Sequence, residues 1–204
     1  VLKTATPRPN PTPTAPNKAP GEVRIIGGQW KRSKLPVAHK AGLRPTPDRI
    51  RETLFNWLGQ DLRGWRCLDA FAGSGALGFE AASRGAAHVL CVEKDRALIE
   101  QLKKNRAKLQ ADALEIKLGD GLNVLRQSTG LQVVFLDPPF DSDADFFQAS
   151  IEAAARAIAD DGFIYVEAPR TWTDDELAPM GLRVHRSLKA GLVHAHLLQK
   201  MALA

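Results

Sequence analysis

Residues 67–80 read Cys-Leu-Asp-Ala-Phe-Ala-Gly-Ser-Gly-Ala-Leu-Gly-Phe-Glu, and this stretch decides the fold class. An apolar run ends at Gly73-Ser74-Gly75, and apolar residues return at a helical spacing from Leu77 onward. This order predicts a strand, a tight turn and a helix. Such a unit opens many nucleotide-binding domains, so the sequence predicts an α/β fold built on a mostly parallel sheet.

The glycines of this stretch have the spacing GxGxxG, formed by Gly73, Gly75 and Gly78. We expect Gly73 to adopt a positive φ, Gly75 to let a ligand approach the backbone, and Gly78 to let the helix pack closely on the sheet. Glu93 follows 20 residues after Gly73, at the end of a second apolar run. A carboxylate at that position typically accepts from a ribose hydroxyl, so the pattern alone favours NAD.

Asp69 argues for a different cofactor. Its carboxylate stands just ahead of the glycine turn, where it would repel a pyrophosphate. S-adenosylmethionine carries an ammonium and a sulfonium, has no phosphate, and keeps a ribose diol for Glu93. The sequence therefore favours S-adenosylmethionine. The candidate cofactor-binding residues are Asp69, Ala72, Gly73, Ser74, Gly75, Glu93, Asp120 and Gly121.

Asp120 and Gly121 belong to this set because they follow a predicted strand over residues 114–118. The carboxyl end of a strand in such a sheet borders the cofactor crevice, where Asp120 can accept from an adenine amino group. The alternative is an aspartate that only shapes a turn.

A largely apolar run over residues 131–136, with β-branched Val133 and Val134 at its centre, predicts a strand buried on both faces. It ends in Asp137-Pro138-Pro139-Phe140. Two consecutive prolines cannot continue a strand ladder, so they predict a stiff extended loop at the strand end. If this strand neighbours the first one, its loop faces the glycine turn across the crevice.

The Asp-Pro-Pro-Phe loop has the groups that an amine methyltransferase needs. The lone pair of an exocyclic amine is partly delocalised into the ring, so the site must reorient it toward the methyl donor. Asp137 and the carbonyl of Pro138 can accept the two amine hydrogens, Pro139 stiffens the loop, and Phe140 can stack on the base. We interpret these four residues as the catalytic set, and a target base must be looped or flipped out to reach them.

The charge of the chain is uneven. Residues 1–60 hold 11 Lys and Arg against 3 Asp and Glu, a balance of +8, whereas residues 61–204 hold 17 against 20, a balance of −3. We therefore predict a disordered proline-rich tail over 1–21, a basic hairpin and helix over 22–60 that binds RNA, and a catalytic domain over 61–204. A merely solubilising basic surface is the alternative. The candidate RNA contacts are Arg24, Lys31, Arg32, Lys34, Arg44, Arg49 and Arg51.

The helix of the basic segment is predicted over 47–58, with Thr46 as its N-cap and Pro47 at its first position. Arg44, Arg49 and Arg51 flank or lie on it. These arginines can contact phosphates, or one or two of them can pair with neighbouring carboxylates. Both interpretations stay open on the sequence alone.

The remaining periodicities complete the α/β pattern. They predict further strands over 88–93, 163–167, 182–188 and 193–199, and helices over 95–109, 143–159 and 173–177. Cys67 and Cys91 lie in apolar strands without metal-ligand spacing, which favours buried reduced thiols, and the histidines predict no metal site. No apolar run reaches bilayer length and no signal-peptide pattern is present, so we expect a cytoplasmic monomer without a membrane partner.

The three motifs together resemble a known family. They are Asp69-Ala-Phe-Ala-Gly-Ser-Gly-Ala-Leu-Gly78, Asp137-Pro-Pro-Phe140, and Arg44-Pro-Thr-Pro-Asp-Arg-Ile-Arg-Glu-Thr-Leu-Phe55. This combination is similar to the bacterial small-subunit ribosomal RNA guanine-N2 methyltransferases of the RsmD type. The similarity extends over about residues 23–200. Ala70, where the family usually has Leu, and the basic turn of residues 31–34 depart from its pattern.

The resemblance implies a Rossmann-like class I methyltransferase fold with a seven-stranded, mostly parallel sheet and a small N-terminal hairpin and helix. It also implies S-adenosylmethionine without a metal, and methylation of a guanine N2 in 16S ribosomal RNA of the assembling 30S particle. Three alternatives remain at this stage: an adenine-N6 methyltransferase of DNA or RNA, an NAD-dependent oxidoreductase, and a noncatalytic RNA-binding assembly factor.

Overall fold

The structure is a computed structural model that describes residues 21–38, 40, 43, 45–139 and 142–201. The predicted tail over 1–21, except its last residue, lies outside the described residues. The strands are β1 (Glu22–Arg24), β2 (Lys34–Pro36), β3 (Arg66–Asp69), β4 (His88–Glu93), β5 (Leu114–Leu118), β6 (Leu131–Leu136), β7 (Ile158–Ala168), β8 (Leu182–Ala190) and β9 (Val193–Lys200). The α-helices are α1 (Asp48–Trp57), α2 (Ala76–Ser83), α3 (Arg96–Leu109), α4 (Gly121–Gln127), α5 (Ala144–Ala157) and α6 (Asp174–Leu177), followed by a 3₁₀ turn at Ala178–Met180.

Seven of these strands form one sheet in the order β5-β4-β3-β6-β7-β9-β8. Strands β3 to β7 pair in parallel, and β9 runs antiparallel between β7 and β8. The predicted seven-stranded, mostly parallel α/β fold is confirmed. From β3 the chain adds β4 and β5 on one side of the sheet and then β6 and β7 on the other, so a crevice opens between the ends of β3 and β6. We call the edge at which the five parallel strands end the carboxyl edge.

Helices cover both faces of the sheet. One face packs against α1, α2 and the N-terminal hairpin, through a core that includes Ile25, Phe55, Phe79 and Phe135. The other face packs against α4 and α5. Burial of Cys67 and Cys91 within the first core is confirmed, and burial raises the pKa of Cys67 to about 12, which keeps that thiol protonated.

The N-terminal hairpin is confirmed, because β1 and β2 pair antiparallel. The fully buried carboxylate of Glu80, on α2, anchors it by accepting from the backbone N–H groups of Ile26 and Gly27, each at 2.8 Å. The same carboxylate forms ion pairs with Arg51 at 3.3 Å and with Arg84 at 2.9 Å. Residues 22–60 therefore share one core with the rest of the chain, rather than packing as a separate module.

Several predicted boundaries differ from the structure. Thr46 is not the N-cap of α1: the cap is Pro47, and the Thr46 hydroxyl instead donates to Glu167 across the fold. The short helix α4 was not predicted, because seven residues after a turn give too little periodicity to recognise. None of the described helices combines the length and the apolarity that crossing a membrane requires.

We expect Glu80→Gln to lower the free energy of unfolding by about 3 kcal/mol, because it leaves the buried guanidinium groups of Arg51 and Arg84 without their shared counter-charge. Urea unfolding followed by circular dichroism measures this change. The matched control is Glu100→Gln, the same substitution at an exposed site on α3, which should leave the transition midpoint in place. Equal midpoints for both variants would contradict the anchoring role of Glu80.

Candidate active site

Three loops meet at the carboxyl edge. The N–H of Ala70, which follows β3, donates to the carbonyl of Phe135 on β6 at 3.1 Å. The N–H of Ala72 donates to the carbonyl of Val92 on β4 at 2.9 Å. The loop after β3 is therefore fixed between the ends of β4 and β6, next to the Asp137-Pro138 segment that follows β6. The sequence prediction that the glycine turn and this segment share one edge is confirmed.

The positive φ predicted for Gly73 is confirmed at 51°, and Gly75 also has a positive φ, of 79°. Gly78 also has its predicted role, because a Cβ there would lie 2.3 Å from the Cys91 sulfur. Gly75 differs from expectation. A Cβ on Gly75 would lie 2.6 Å from a Leu102 methyl, so the core side chains, rather than an approaching ligand, require glycine at this position.

Asp69 neutralises the amino end of α2. Its carboxylate accepts from the N–H of Gly78 at 3.1 Å and is only 2% exposed. Burial raises the pKa of Asp69 to about 7. A pyrophosphate normally occupies this amino end in dinucleotide-binding folds. A buried acidic group thus already accepts from the amino end of α2, which disfavours a pyrophosphate there, and Asp69 shapes the loop rather than lining an open pocket.

The other predicted cofactor residues stand around this loop. Glu93 ends β4, and its two oxygens accept from the N–H groups of Gly73 at 3.0 Å and Asp95 at 2.8 Å. Asp120 is exposed after β5 and caps α4 by accepting from Asn123 N–H at 2.8 Å. Gly121 packs so tightly that a Cβ would lie 2.0 Å from the Ala70 carbonyl oxygen. Ala72 and Ser74 complete the loop and are buried.

The residues from Asp69 to Gly78 contain no Lys or Arg, while Glu93 and Asp120 line the neighbouring strand ends. These acidic acceptors suit a ligand that carries positive charge and hydroxyl or amino groups, as S-adenosylmethionine does. They do not suit a diphosphate. Among the described residues there is no group of three or more His, Cys, Asp or Glu that could hold a metal ion.

Asp137 is half-buried at the end of β6, and Pro138 after it is buried. In the parallel register Leu136 pairs with Val166, so the next residues, Asp137 and Glu167, are neighbours across β6 and β7. Phe140, the predicted stacking residue, lies outside the described residues. The part of the loop that the structure describes thus presents the carboxylate of Asp137, the buried Pro138 and the exposed Pro139 at the crevice.

The sequence analysis did not predict a hydrogen-bond network that lies next to Asp137. Glu167 is 8% exposed, and its carboxylate accepts from the Thr46 hydroxyl at 2.8 Å and from the Tyr165 hydroxyl at 2.9 Å. The only signal in the sequence was the alternation of side chains along a strand. Asp137 lies two residues after Phe135, and Glu167 lies two residues after Tyr165, so each carboxylate shares a face of the sheet with the aromatic residue before it. The motif Pro45-Thr46-Pro47 therefore serves to join the N-terminal segment to the carboxyl edge.

The two adjacent carboxyl groups perturb each other. Burial raises the pKa of Asp137 well above its usual range, and the charges of Glu167 and Asp69 raise it further. Burial also raises the pKa of Glu167. Like charges at this separation cannot both ionise easily, so the pair retains a proton to higher pH than free carboxyls do. Such a group can accept a hydrogen bond from an amine once it has lost its proton, and it takes up a proton more readily than a free carboxylate does.

The predicted RNA residues divide into two groups. Arg51 is 1% exposed and donates to the carbonyls of Thr46 and Arg24, so its predicted contact with RNA is wrong and it has a structural role. Arg24 is exposed but paired with Asp48, and Lys34 is paired with Glu22. Of the predicted RNA residues that the structure describes, Lys31, Arg32 and Arg49 are exposed and form no ion pair with a described carboxylate. Arg44 lies outside the described residues.

The basic turn between β1 and β2 sits far from the crevice. The N–H of Gln29 donates to the carbonyl of Ser83 at 2.8 Å, and Ser83 is the last residue of α2. Because α2 begins at the glycine loop and is eight residues long, this turn lies about 12 Å from that loop along the axis of α2. The structure therefore does not bring Lys31 and Arg32 together with Asp137.

Comparison with known proteins gives a consistent result. The family model described as "Conserved hypothetical protein 95" matches residues 23–199. Ribosomal RNA small subunit methyltransferase D of Escherichia coli (strain K12) is 43% identical over 183 residues, which are 89% of this chain and 92% of that protein. The chain belongs to this family, the RsmD family.

Two further likenesses agree with this membership. Ribosomal RNA small subunit methyltransferase D of Haemophilus influenzae is 43% identical over 168 residues, covering 76% of this chain and 87% of that protein. The solved structure of the yhhF protein from Escherichia coli superposes with a TM-score of 0.77 at 43% identity, and covers 90% of this chain and 100% of that one. The RsmD resemblance and the methyltransferase fold predicted from the motifs are confirmed.

Proposed function

We propose that this RsmD-family member transfers a methyl group from S-adenosylmethionine to the exocyclic N2 of a guanine in 16S ribosomal RNA, during assembly of the small subunit. The observation that carries the proposal is the position of Asp137 and Pro138 on the same sheet edge as the glycine loop. The names of the relatives support ribosomal RNA as the substrate. We further propose that the enzyme works as a cytoplasmic monomer.

The cofactor is assigned to the crevice beside the glycine loop. In this proposal Glu93 accepts from the ribose hydroxyls, Asp120 accepts from the adenine amino group, and the backbone of residues 72–75 contacts the amino-acid part. S-adenosylmethionine supplies an electrophilic methyl on a sulfonium. Asp69 contributes indirectly, since it holds the loop in shape and blocks the position of a diphosphate.

The target amine is assigned to the Asp137-Pro138 segment. The carboxylate of Asp137 and the carbonyl of Pro138 accept its two hydrogens, which turns the nitrogen lone pair toward the methyl donor. The carbon–sulfur bond breaks as the nitrogen–carbon bond forms. The methylated ammonium then releases one proton to Asp137 or to water. Pro139 restricts the segment, and Phe140 is proposed to stack on the base.

The alternatives account for fewer observations. NAD is disfavoured because Asp69 occupies the amino end of α2 where a pyrophosphate would bind. Adenine-N6 methylation is compatible with Asp137 and Pro138, but the relatives are named as ribosomal RNA small subunit methyltransferases. A noncatalytic assembly factor would have no need of a perturbed carboxyl pair at the strand ends.

We expect Asp137→Ala to lower the rate of methyl transfer by about a thousandfold while leaving the affinity for S-adenosylhomocysteine nearly unchanged. Glu93→Ala should weaken that affinity by about tenfold or more, because it removes charged hydrogen bonds. Isothermal titration and single-turnover transfer of labelled methyl groups to 16S transcripts measure the two quantities. The control is Asp145→Ala on the exposed start of α5. Equal losses of cofactor affinity in the first two variants would refute this division of roles.

The pH dependence tests the carboxyl pair. Asp137 must be ionised to accept from the amine, so the rate should rise with pH as this group loses its proton. Because the charge of Glu167 raises the pKa of Asp137, Glu167→Gln should move the acidic limb of the rate profile to lower pH, while Gln still accepts from Thr46 and Tyr165. Glu115→Gln, at an exposed site on β5, is the control. An acidic limb that stays in place in Glu167→Gln would show that Asp137 is not the titrating group.

A further inference from the structure

The last two strands of the sheet carry a concentrated positive charge. Residues 182–204 contain four Lys and Arg and no Asp or Glu, whereas residues 61–181 contain 13 Lys and Arg against 20 Asp and Glu. The near-neutral balance of the catalytic domain therefore hides a basic hairpin, formed by β8, β9 and the turn between them, within an otherwise acidic domain. We call this element the C-terminal hairpin.

The turn of the C-terminal hairpin lies at the carboxyl edge. His194, near the start of β9, pairs with Ala168, the last residue of β7, so the preceding turn at Gly191-Leu192 extends beyond the ends of the parallel strands. Strand β9 is two positions from β6 in the sheet, a separation of about 10 Å. The hairpin turn and Lys189, which pairs with His194, therefore lie at the same edge of the sheet as Asp137, whereas the basic turn between β1 and β2 packs against the end of α2 that is remote from the glycine loop.

Lys200, one of the four basic residues of this hairpin, is paired with Asp160, and the other three are available to bind anions. Arg183, Arg186 and Lys189 are exposed on β8, and none of them forms an ion pair with a carboxylate in the part of the chain that the structure describes. In contrast, Arg24 and Lys34 of the N-terminal segment are paired with Asp48 and Glu22. An unpaired cation gives up no internal partner when it binds a phosphate, so the C-terminal hairpin is the better phosphate-binding surface.

The turn also exposes a large apolar side chain. Leu192 is 79% exposed, more than the other exposed large apolar residues of the described chain, Leu118 at 43% and Met201 at 47%. An apolar side chain at the tip of a basic element is suited to contact unstacked bases, as the wedge residues of nucleic-acid-bending proteins do. A base that leaves its stack to reach a catalytic pocket leaves exposed base faces behind it.

We propose that the C-terminal hairpin is an RNA-binding element that holds the strand flanking the target base. Arg186 and Lys189 bind phosphates of that strand, and Leu192 packs against the bases next to the one that is flipped out. This inference rests on the proposed function, because it places the RNA relative to Asp137. It assigns the main RNA contact to residues 182–193 rather than to the N-terminal hairpin.

The test measures binding of the full chain to unmodified 16S ribosomal RNA transcribed in vitro, over a range of salt concentrations. Arg186→Ala with Lys189→Ala should lower the slope of log affinity against log salt by about 1.4, which corresponds to about 0.7 for each single-strand phosphate that is no longer neutralised. The charge-matched control, Lys104→Ala with Arg126→Ala, changes exposed residues on the outer surfaces of α3 and α4 and should keep the wild-type slope.

Leu192→Ser separates the apolar contact from the charges. It should lower kcat/KM for the transcript by about tenfold without changing the salt slope, and the affinity for S-adenosylhomocysteine should stay at the wild-type value, which verifies that the variant is folded. Arg186→Lys with Lys189→Arg should restore the slope. A double-alanine variant that keeps the wild-type slope would overturn the proposal.

Two further outcomes have a defined meaning. A wild-type chain that binds the transcript with the predicted slopes but transfers no methyl group would refute the proposed function and leave this inference standing. A wild-type dimer that Leu192→Ser converts to a monomer, with RNA affinity unaltered, would identify the hairpin tip as a contact between two copies and would overturn the inference.

Discussion

The buried carboxylate of Glu80 is the constraint on which the rest of the structure depends. An ionised carboxylate without exposure to water is tolerated only when charges and donors surround it, and here two arginines and two backbone N–H groups do so. These partners come from the hairpin, from α1 and from the end of α2. One side chain therefore holds the N-terminal segment on the face of the sheet above β3 and β6.

This anchor extends to the active site through a continuous chain of contacts. Arg51, held by Glu80, donates to the carbonyl of Thr46 at 3.1 Å, and the hydroxyl of Thr46 donates to Glu167 at 2.8 Å. Glu167 neighbours Asp137 across the sheet. Within the motif of residues 44–55, Arg51 thus has a structural function and connects α1 to the carboxyl edge.

The acidic character of the carboxyl edge links fold and chemistry. Asp69 neutralises the amino end of α2 and so removes the anion site that a dinucleotide would use. Burial raises the pKa values of the neighbouring groups Asp137 and Glu167, and the charge of Glu167 raises that of Asp137 further, so this edge holds a proton to higher pH than free carboxyls do. Exposed positive charge lies elsewhere on the surface, for example at Arg183, Arg186 and Lys189 of β8.

The sequence was sufficient to predict the sheet, the glycine turn and the meeting of Asp137 with that turn, because apolar periodicity and proline chemistry act over a few neighbouring residues. It could not predict the partners of Arg51 or Thr46, since both depend on residues that are distant in the chain, Glu80 and Glu167. The basic hairpin at the C-terminus was missed for another reason: summing charge over residues 61–204 cancelled it against the 20 acidic residues of 61–181.

The most direct test is to identify the methylated nucleosides in 16S ribosomal RNA from cells with and without the gene, using nuclease digestion and mass spectrometry. We expect that deletion removes N2-methylguanosine from a single position, that the wild-type gene restores it, and that a gene encoding Asp137→Ala does not. Loss of N6-methyladenosine instead, or an unchanged set of modified nucleosides, would contradict the claim that this sheet edge presents a guanine amine to a methyl donor.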